Sequence, residues 1–170
     1  MDRRRFLAIV AVAAGALASA AVGVPLIGQL LSPLRRKGAL PGEDFQSLGP
    51  LTSFPEGTPQ RVSLSVVVVD GWETSHQDRS AWVVREGEKV RVLSTVCPHL
   101  GCSVKWEQPA GSFKCPCHES AFSADGAYKH GPARRGMDEL PTRISAGDVQ
   151  ARWVDYVANV AEQRPVDGTA

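Results

Sequence analysis

All four cysteines of this chain lie in two short stretches, each of which also contains a histidine. Residues 97–102 read C-P-H-L-G-C, and residues 115–120 read C-P-C-H-E-S. A Cys-x-His pair and a Cys-x-x-His pair together offer two thiolates and two imidazoles. That donor set suits zinc or an iron–sulfur cluster with mixed ligands. We therefore expect the fold to bring the two stretches together as loops around one metal centre.

Ligand type alone does not decide between zinc and an iron–sulfur cluster, because thiolates and imidazoles bind both. Each stretch contains one cysteine beyond its Cys/His pair, which is Cys102 in the first stretch and Cys117 in the second. A zinc site would need neither of them, so their presence favours the iron–sulfur cluster. A zinc-bound structural domain without a redox role is the alternative.

These motifs resemble the cluster-binding boxes of the Rieske iron–sulfur proteins. The resemblance is to the disulfide-bearing type, as in cytochrome bc-type quinol oxidases. The identities lie at fixed spacing in both boxes, and a looser similarity extends from about Val90 to Ile144. Within that range, residues 131–133 read G-P-A, which is similar to the proline-containing third loop of the family.

The resemblance implies that the metal centre is one Rieske 2Fe-2S cluster. Cys97 and Cys115 would ligate one iron, and His99 and His118 would ligate the other. A disulfide would join the two remaining cysteines, Cys102 and Cys117. Paired cysteines of this kind are typical of an oxidising compartment.

Imidazole ligands change both the charge and the proton chemistry of such a cluster. Two neutral imidazoles in place of thiolates make it less negative and raise its reduction potential above that of all-cysteine ferredoxins. The second nitrogen of each imidazole stays free and titratable. Since an added electron favours a proton on that nitrogen, one electron and one proton can be taken together, as quinol oxidation requires. By resemblance, we expect His118 to bond the quinol hydroxyl, with His99 exposed beside it.

Three further positions near the ligands are expected to tune or shield the cluster. By resemblance, the hydroxyl of Ser120 bonds a bridging sulfide, and Phe122 stands where high-potential members usually have Tyr. Without a second hydroxyl donor we expect a comparatively low potential, which would suit a low-potential quinol such as menaquinol. An apolar Leu100 would shield the cluster and face the quinol. Glu119 departs from the family, because many members have Gly there.

Residues 1–36 predict an export signal and a membrane anchor. Residues 3–7 read R-R-R-F-L, which approximates a twin-arginine signal. Residues 6–31 contain no charge. As a helix, the first 19 of them would span roughly 28 Å, close to the ~30 Å of a hydrocarbon core. We expect Pro25 and Gly28 to kink or end this helix.

A cleaved signal peptide is the alternative to an anchor, because residues 18–20, A-S-A, fit a small-residue cleavage site. The apolar run continues past this site, which favours the anchor. Residues 37–46 begin with K-G-A-L-P-G and predict a flexible linker. We therefore expect a single-pass protein of a bacterial cytoplasmic membrane. Its cluster domain would lie on the outer, periplasmic side.

Residues 47–160 are predicted to form the Rieske 2Fe-2S domain, because short strands alternate there with turn signals and no strong helix is visible. The expected fold is all-β, with antiparallel base sheets and a small cluster-binding subdomain, after an N-terminal transmembrane helix. Residues 73–80 are polar and predict a loop. Residues 161–170 are predicted to be a loosely ordered tail. The predicted strands are 61–70, 81–84, 89–94, 103–106, 113–114, 121–123, 128–129, 142–144 and 149–154.

The charge distribution argues against a nucleic-acid partner. Of the 19 basic and 18 acidic residues, six basic residues and one acidic residue lie in residues 1–37, so the remainder carries a net charge of about −4. A mildly acidic domain without a basic patch is not typical of proteins that bind nucleic acid.

The sequence favours one function over a second. The first is the electron-transfer subunit of a membrane quinol:cytochrome c oxidoreductase, whose partners would be cytochrome b, cytochrome c and quinol. The second is the Rieske small subunit of a peripheral molybdenum oxidoreductase such as arsenite oxidase. The apolar anchor and the Gly/Pro linker favour the first. In both cases the chain would be a redox subunit with no active site beyond its cluster.

Overall fold

The computed structural model describes residues 2–35, 45–70 and 73–166. Most of the predicted linker, residues 37–46, and the last four residues of the predicted tail lie outside these ranges. Within them, the chain forms one long N-terminal helix and a domain made of β-strands. The predicted fold class, an all-β domain of antiparallel sheets after an apolar helix, is confirmed.

The N-terminal helix, α1, runs from Arg3 to Arg35, which is 33 residues. Its Arg3–Leu31 stretch is apolar and long enough to cross a membrane. At 1.5 Å per residue the helix is about 50 Å long, well over the thickness of a hydrocarbon core. Pro25 and Gly28 were expected to kink or end the helix, and they do not end it, because α1 continues through both. A proline costs a helix one N–H donor and a local clash, which a long apolar helix can absorb.

Ten strands make up the β domain among the described residues. They are β1 (Gln46–Pro50), β2 (Gln60–Asp70), β3 (Glu73–Glu86), β4 (Lys89–Ser94), β5 (Lys105–Glu107), β6 (Ser112–Lys114), β7 (Ala121–Phe122), β8 (Tyr128–His130), β9 (Thr142–Ser145) and β10 (Asp148–Ala151).

The strands form three small sheets, of which two make a base and the third carries the cysteine loops. The base sheets have the orders β1-β10-β9 and β2-β3-β4, and the third has the order β5-β6-β7-β8. Leu140 donates its backbone N–H to the carbonyl of Val92 at 2.7 Å, and Glu139 bridges Leu93, so the chain entering β9 is tied to β4. The third sheet lies in sequence between β4 and β9.

The middle of the β3–β4 pair, around Val83 and Leu93, is buried on both faces and separates two hydrophobic cores. Val83 and Val92 face the first core, whereas their neighbours Val84 and Leu93 face the second. Successive side chains of a strand point to opposite faces, so one pair of strands supports both cores. The first core contains Phe54, Leu64, Ala81, Val83, Val92, Leu140, Val149, Ala151 and Trp153. The second contains Val84, Leu93, Cys97, Val104, Phe113, Cys115, Phe122, Ala133 and Met137.

Sequence patterns identified most strands but missed two features. The predicted hairpin around Gly87 is present as β3 and β4, with Gly87 at a φ of +64°. Residues 73–80 are not a loop, because they form the first half of β3. Their polar composition reflects exposure on a two-stranded extension beyond the end of β4. Strand β1 was not predicted, since Q-S-L-G-P contains a glycine and a proline and has little strand propensity.

The chain after β10 is more ordered than the sequence predicts. Val157 donates its N–H to the carbonyl of Arg164 at 2.9 Å, and Val166 donates to Asp155 at 2.8 Å. Tyr156 and Pro165 form an antiparallel bridge. Residues 155–166 are thus a small hairpin, which we call the C-terminal hairpin. The expectation of a loosely ordered tail from residue 161 is wrong as far as Val166.

Candidate metal centre

The two cysteine–histidine stretches form loops that are closed by the same pair of backbone hydrogen bonds. In the first loop, residues 97–102, the N–H of Cys97 donates to the carbonyl of Cys102 at 2.8 Å, and Gly101 donates back to Cys97 at 2.9 Å. In the second loop, residues 115–120, the N–H of Cys115 donates to Ser120 at 2.8 Å, and Glu119 donates back to Cys115 at 3.1 Å. The two loops therefore have equivalent backbone turns, with Cys97 and Cys115 at the same position, whereas the histidine is the third residue of the first loop and the fourth of the second.

The equivalence of the two turns shows why glutamate is an unusual residue at position 119. The fifth residue of each loop has a left-handed backbone, with a φ of +83° at Gly101 and of +60° at Glu119. Glycine adopts such a conformation freely, whereas another L-residue pays roughly 1–2 kcal/mol. Glu119 therefore bears backbone strain where its counterpart does not. Its carboxylate lies 3.9 Å from the Lys114 ammonium group, an exposed pair that offsets little of this cost.

A disulfide joins the two loops, as the sequence predicts. Cys102 and Cys117 are bonded with their Cα atoms 6.5 Å apart and 15 positions apart in sequence. Closing a segment of that length is worth about 3 kcal/mol in the loop-entropy description. The Sγ atom of Cys115 lies within 4.8 Å of both disulfide sulfurs, so the covalent link sits beside the candidate ligands.

The two cysteines outside the disulfide are buried. Cys97 and Cys115 are each 1 % exposed. The pKa of the Cys97 thiol is raised to about 11. Burial is the largest cause, and the neighbouring Cys115 side chain acts in the same direction, while the backbone N–H groups of His99 and Leu100 act in the opposite direction. Cysteine binds a metal as the thiolate, and these N–H groups stabilise the thiolate form. A bound cation would stabilise it further.

The two histidines of the motifs lie side by side at the surface. The rings of His99 and His118 are 4.8 Å apart between centroids and nearly perpendicular, at 88°. His118 is exposed and His99 is partly exposed, and Leu100 beside them is 60 % exposed. His76 and His130 are both exposed and lie outside the motifs. The site thus places two thiols inside and two imidazoles outside, and this asymmetric donor set fits a 2Fe-2S cluster with mixed ligands.

Aromatic side chains support the loops from below. The ring of Phe113 lies 4.8 Å from that of Trp106 and 5.6 Å from that of Trp82, in edge-on and tilted contacts. Trp82 also donates its indole N–H to the carbonyl of Val104 at 3.2 Å. Phe122, paired across the sheet with Phe113, is fully buried in the same core as Cys97 and Cys115. The strand that leads into the second loop and the strand that leaves it therefore rest on one packed layer.

A third loop, residues 131–133, packs directly on Ser120. Gly131 has a φ of +104°, and a Cβ atom at this position would lie only 2.5 Å from the Cα of Ser120. Ala133 donates its N–H to the Ser120 hydroxyl oxygen at 3.1 Å. Because that oxygen acts as an acceptor, the hydroxyl hydrogen of this fully buried serine is left to donate elsewhere. The close approach of Gly131 could not be read from the sequence, since only the fold brings residue 131 to residue 120.

Comparison with known families decides the type of centre. The sequence model of the Rieske [2Fe-2S] domain matches residues 48–142, more than half of the chain. The chain belongs to the Rieske [2Fe-2S] domain family. The predicted cofactor, one Rieske 2Fe-2S cluster, is confirmed on this basis, and the predicted disulfide is present in the structure. The zinc alternative is set aside.

Several curated relatives match this Rieske protein over most of their length. The menaquinol:cytochrome c reductase iron-sulfur subunit of Bacillus subtilis is 31 % identical over 86 % of this chain and 89 % of its own. Its counterpart from Geobacillus thermodenitrificans is 30 % identical over 86 % and 88 %. The cytochrome b6-f complex iron-sulfur subunit of Gloeobacter violaceus is 29 % identical over 91 % and 85 %.

The contact between Gly131 and Ser120 gives a test of the third loop. Gly131→Ala should displace the second loop, because the new Cβ atom meets backbone rather than a flexible side chain, and overpacking of this kind costs about 1–3 kcal/mol. We expect a lower midpoint of thermal unfolding and a weaker EPR signal of the reduced cluster. The matched control is Gly49→Ala, since Gly49 has a similar φ of +118° but only a 3.5 Å contact with Ser53. Equal losses in both variants would mean that backbone strain alone matters.

Proposed function

We propose that Cys97 and Cys115 ligate one iron of the cluster and that His99 and His118 ligate the other. The observation that supports this most directly is the separation of the two donor types. Both thiols are buried beneath the loops, and both imidazoles lie together at the surface. Ligands of one iron would thus be shielded from water, while those of the other would face solvent and any docked molecule.

The bound cluster would supply a one-electron acceptor, and the surrounding residues would supply the proton chemistry. An imidazole that gives one nitrogen to iron keeps the other for hydrogen bonding. His118, which is exposed, would accept a hydrogen bond from a quinol hydroxyl and hold the proton released on oxidation. His99 lies beside it, and the exposed Leu100 side chain would pack against the apolar part of the quinol.

We propose further that this chain is the iron–sulfur subunit of a membrane quinol:cytochrome c oxidoreductase. It would accept electrons from quinol at a cytochrome b subunit and pass them to a c-type cytochrome. The names of the relatives support this, as does their match along 86–91 % of the chain, which extends well beyond the Rieske domain itself. Menaquinol is the favoured quinol, because the Bacillus subtilis relative is named for it and Phe122 lacks the hydroxyl that would raise the potential.

The proposed location follows from the same features. Helix α1 would be a single-pass anchor in a bacterial cytoplasmic membrane, and the Rieske domain would lie on its outer, periplasmic side. The disulfide supports the outer side, because such bonds persist in oxidising compartments and are rare in the cytosol. The twin-arginine signal at residues 3–7 remains a prediction, and so do the linker at residues 37–46 and the domain bounds.

Purification of the full chain with its native partners tests the proposed function. A tagged chain extracted from its own membranes in mild detergent should carry haem spectra of cytochromes b and c. The complex should also reduce cytochrome c when menaquinol is added. A chain that co-purifies with a molybdopterin subunit instead, and without haem, would contradict the proposal in favour of the molybdenum alternative.

Substitution of the four cysteines should distinguish the two that ligate iron from the two that form the disulfide. We expect Cys97→Ser or Cys115→Ser to abolish the EPR signal of the reduced cluster, because each removes an iron ligand. The double variant Cys102→Ser/Cys117→Ser should retain the signal in a labile form, with about 3 kcal/mol of loop-closure stabilisation lost. Loss of the signal in the double variant together with its retention in Cys97→Ser would reverse the ligand assignment.

Hydroxyl groups near the cluster should set its midpoint potential. A donor to a ligand sulfur or sulfide stabilises the more negative, reduced state, so Phe122→Tyr should raise the potential and Ser120→Ala should lower it. One hydrogen bond of about 1 kcal/mol corresponds to roughly 40 mV in a one-electron couple. Protein-film voltammetry measures both shifts. Phe113→Tyr is the control, because it adds a hydroxyl to a ring equally buried in the same core but packed between two tryptophans. A Phe122→Tyr shift no larger than the control shift would show that this ring does not face a ligand sulfur.

A further inference from the structure

The C-terminal hairpin, residues 155–166, lies beyond residues 48–142, which the Rieske domain model matches, and yet contacts the first cysteine loop. Asn159 at its tip donates its backbone N–H to the carbonyl of Pro98 at 2.8 Å. Pro98 is buried and stands between two proposed ligands, Cys97 and His99. The hairpin therefore supplies a hydrogen bond to the first loop between the two proposed ligands.

A buried arginine holds the hairpin in place. Arg135 donates through its guanidinium to the carbonyl of Val157 at 2.9 Å and to that of Val160 at 2.8 Å. The same group forms a two-point ion pair with Asp138, with both N···O distances at 2.8 Å. Only 7 % of the Arg135 side chain and 3 % of the Asp138 side chain are exposed. A guanidinium this deeply buried is tolerated only when its N–H groups have hydrogen-bond acceptors. The two hairpin carbonyls are two of these acceptors.

Arg135 also belongs to the segment that follows the third loop, and Asp138 is tied to the first. Ala133, two residues before Arg135, donates to the Ser120 hydroxyl in the second loop. The carbonyl of Asp138 accepts the N–H of Ser94, the last residue of β4, three positions before Cys97. Residues 133–138 are thus hydrogen-bonded to the second loop, to the strand that leads into the first loop and, through Arg135, to the hairpin.

We propose that the C-terminal hairpin is a strap that fixes the first loop and that Arg135 is the positioning residue that holds the strap closed. The strap acts on Pro98 and so on the orientation of His99 and the cover over Cys97. This inference depends on the proposed ligand roles of Cys97 and His99. Neither Arg135 nor the hairpin contacts the reacting groups, so their effect is on loop geometry and cluster retention.

Truncation of the full chain tests the strap. A chain ending at residue 156 lacks the strap, and a chain ending at residue 166 keeps it and is the matched control. In the shorter chain we expect amide hydrogen exchange in peptides covering the first loop to rise at least about fivefold, with little change in the second loop. The cluster should also bleach at least about fivefold faster in the presence of a chelator. Equal exchange and equal bleaching in the two chains would overturn the proposal.

Point variants keep the test decisive if the shorter chain does not fold. Asn159→Pro removes the N–H that Pro98 accepts and cannot adopt the φ of +57° at this residue, so it opens the tip of the strap. Asn159→Gly retains the N–H and suits that φ. Only the proline variant should raise first-loop exchange and shift the EPR line shape. Arg135→Leu/Asp138→Leu removes the buried pair without leaving a lone charge and should behave like Asn159→Pro, with the exposed Arg134→Leu as its control. Wild-type exchange in both test variants would show that the hairpin does not position the loop.

The readouts separate this inference from the proposed function. Exchange and bleaching are measured on the cluster-loaded chain and need no quinol or cytochrome. If the native complex failed to oxidise quinol while the strap variants still loosened the first loop, the proposed function would be wrong and the strap would stand. If quinol oxidation were normal and strap removal had no effect on the first loop, the strap would be wrong and the function would stand.

Discussion

The metal centre depends on the reciprocal pair of backbone hydrogen bonds that closes each cysteine loop. In both loops, a cysteine donates to the sixth residue and accepts from the fifth. Within these turns Cys97 and Cys115 are buried, and the histidines lie at the surface. The disulfide then joins two turns that already have the same shape. The backbone of the two turns thus gives the centre a shielded side and an exposed side. The residue at each position of the turn determines which donor atoms lie on each side.

The second constraint is that one pair of strands must support two cores. Because Val83 and Val84 point to opposite faces of β3, the base of the domain and the layer beneath the cluster share a backbone. The loop pair therefore rests on a sheet held from both sides rather than on the edge of one. Such a platform resists deformation, because close-packed interiors rearrange in discrete steps rather than continuously. A rigid support limits the reorganisation that accompanies each change of charge at the site.

The sequence predicted the chemistry of the site better than its architecture. Resemblance of the two motifs to a family predicted the disulfide and the type of cofactor, and both are confirmed. The ligand roles of the cysteine and histidine side chains stay a prediction. The close approach of Gly131 to Ser120 and the contact of Asn159 with Pro98 depend on long-range packing, and no local pattern announces them. Alignment of the two loops with each other could have identified residue 119 as a left-handed position from its counterpart, Gly101. The polar first half of β3 was mistaken for a loop because an exposed two-stranded ribbon lacks the apolar alternation of a buried strand.

The position of the C-terminal hairpin has a consequence for the order of assembly. The ribosome releases the chain from its N-terminus, so both cysteine loops emerge well before Asn159 does. Until then the carbonyl of Pro98 has no such donor, and Arg135 lacks two of its carbonyl acceptors. The first loop therefore passes through a stage of synthesis in which it is open on the side that the hairpin later covers. Metal delivery during that interval would meet a less constrained loop than delivery to the domain with its hairpin in place, and docking of the C-terminal hairpin would be a late step of maturation.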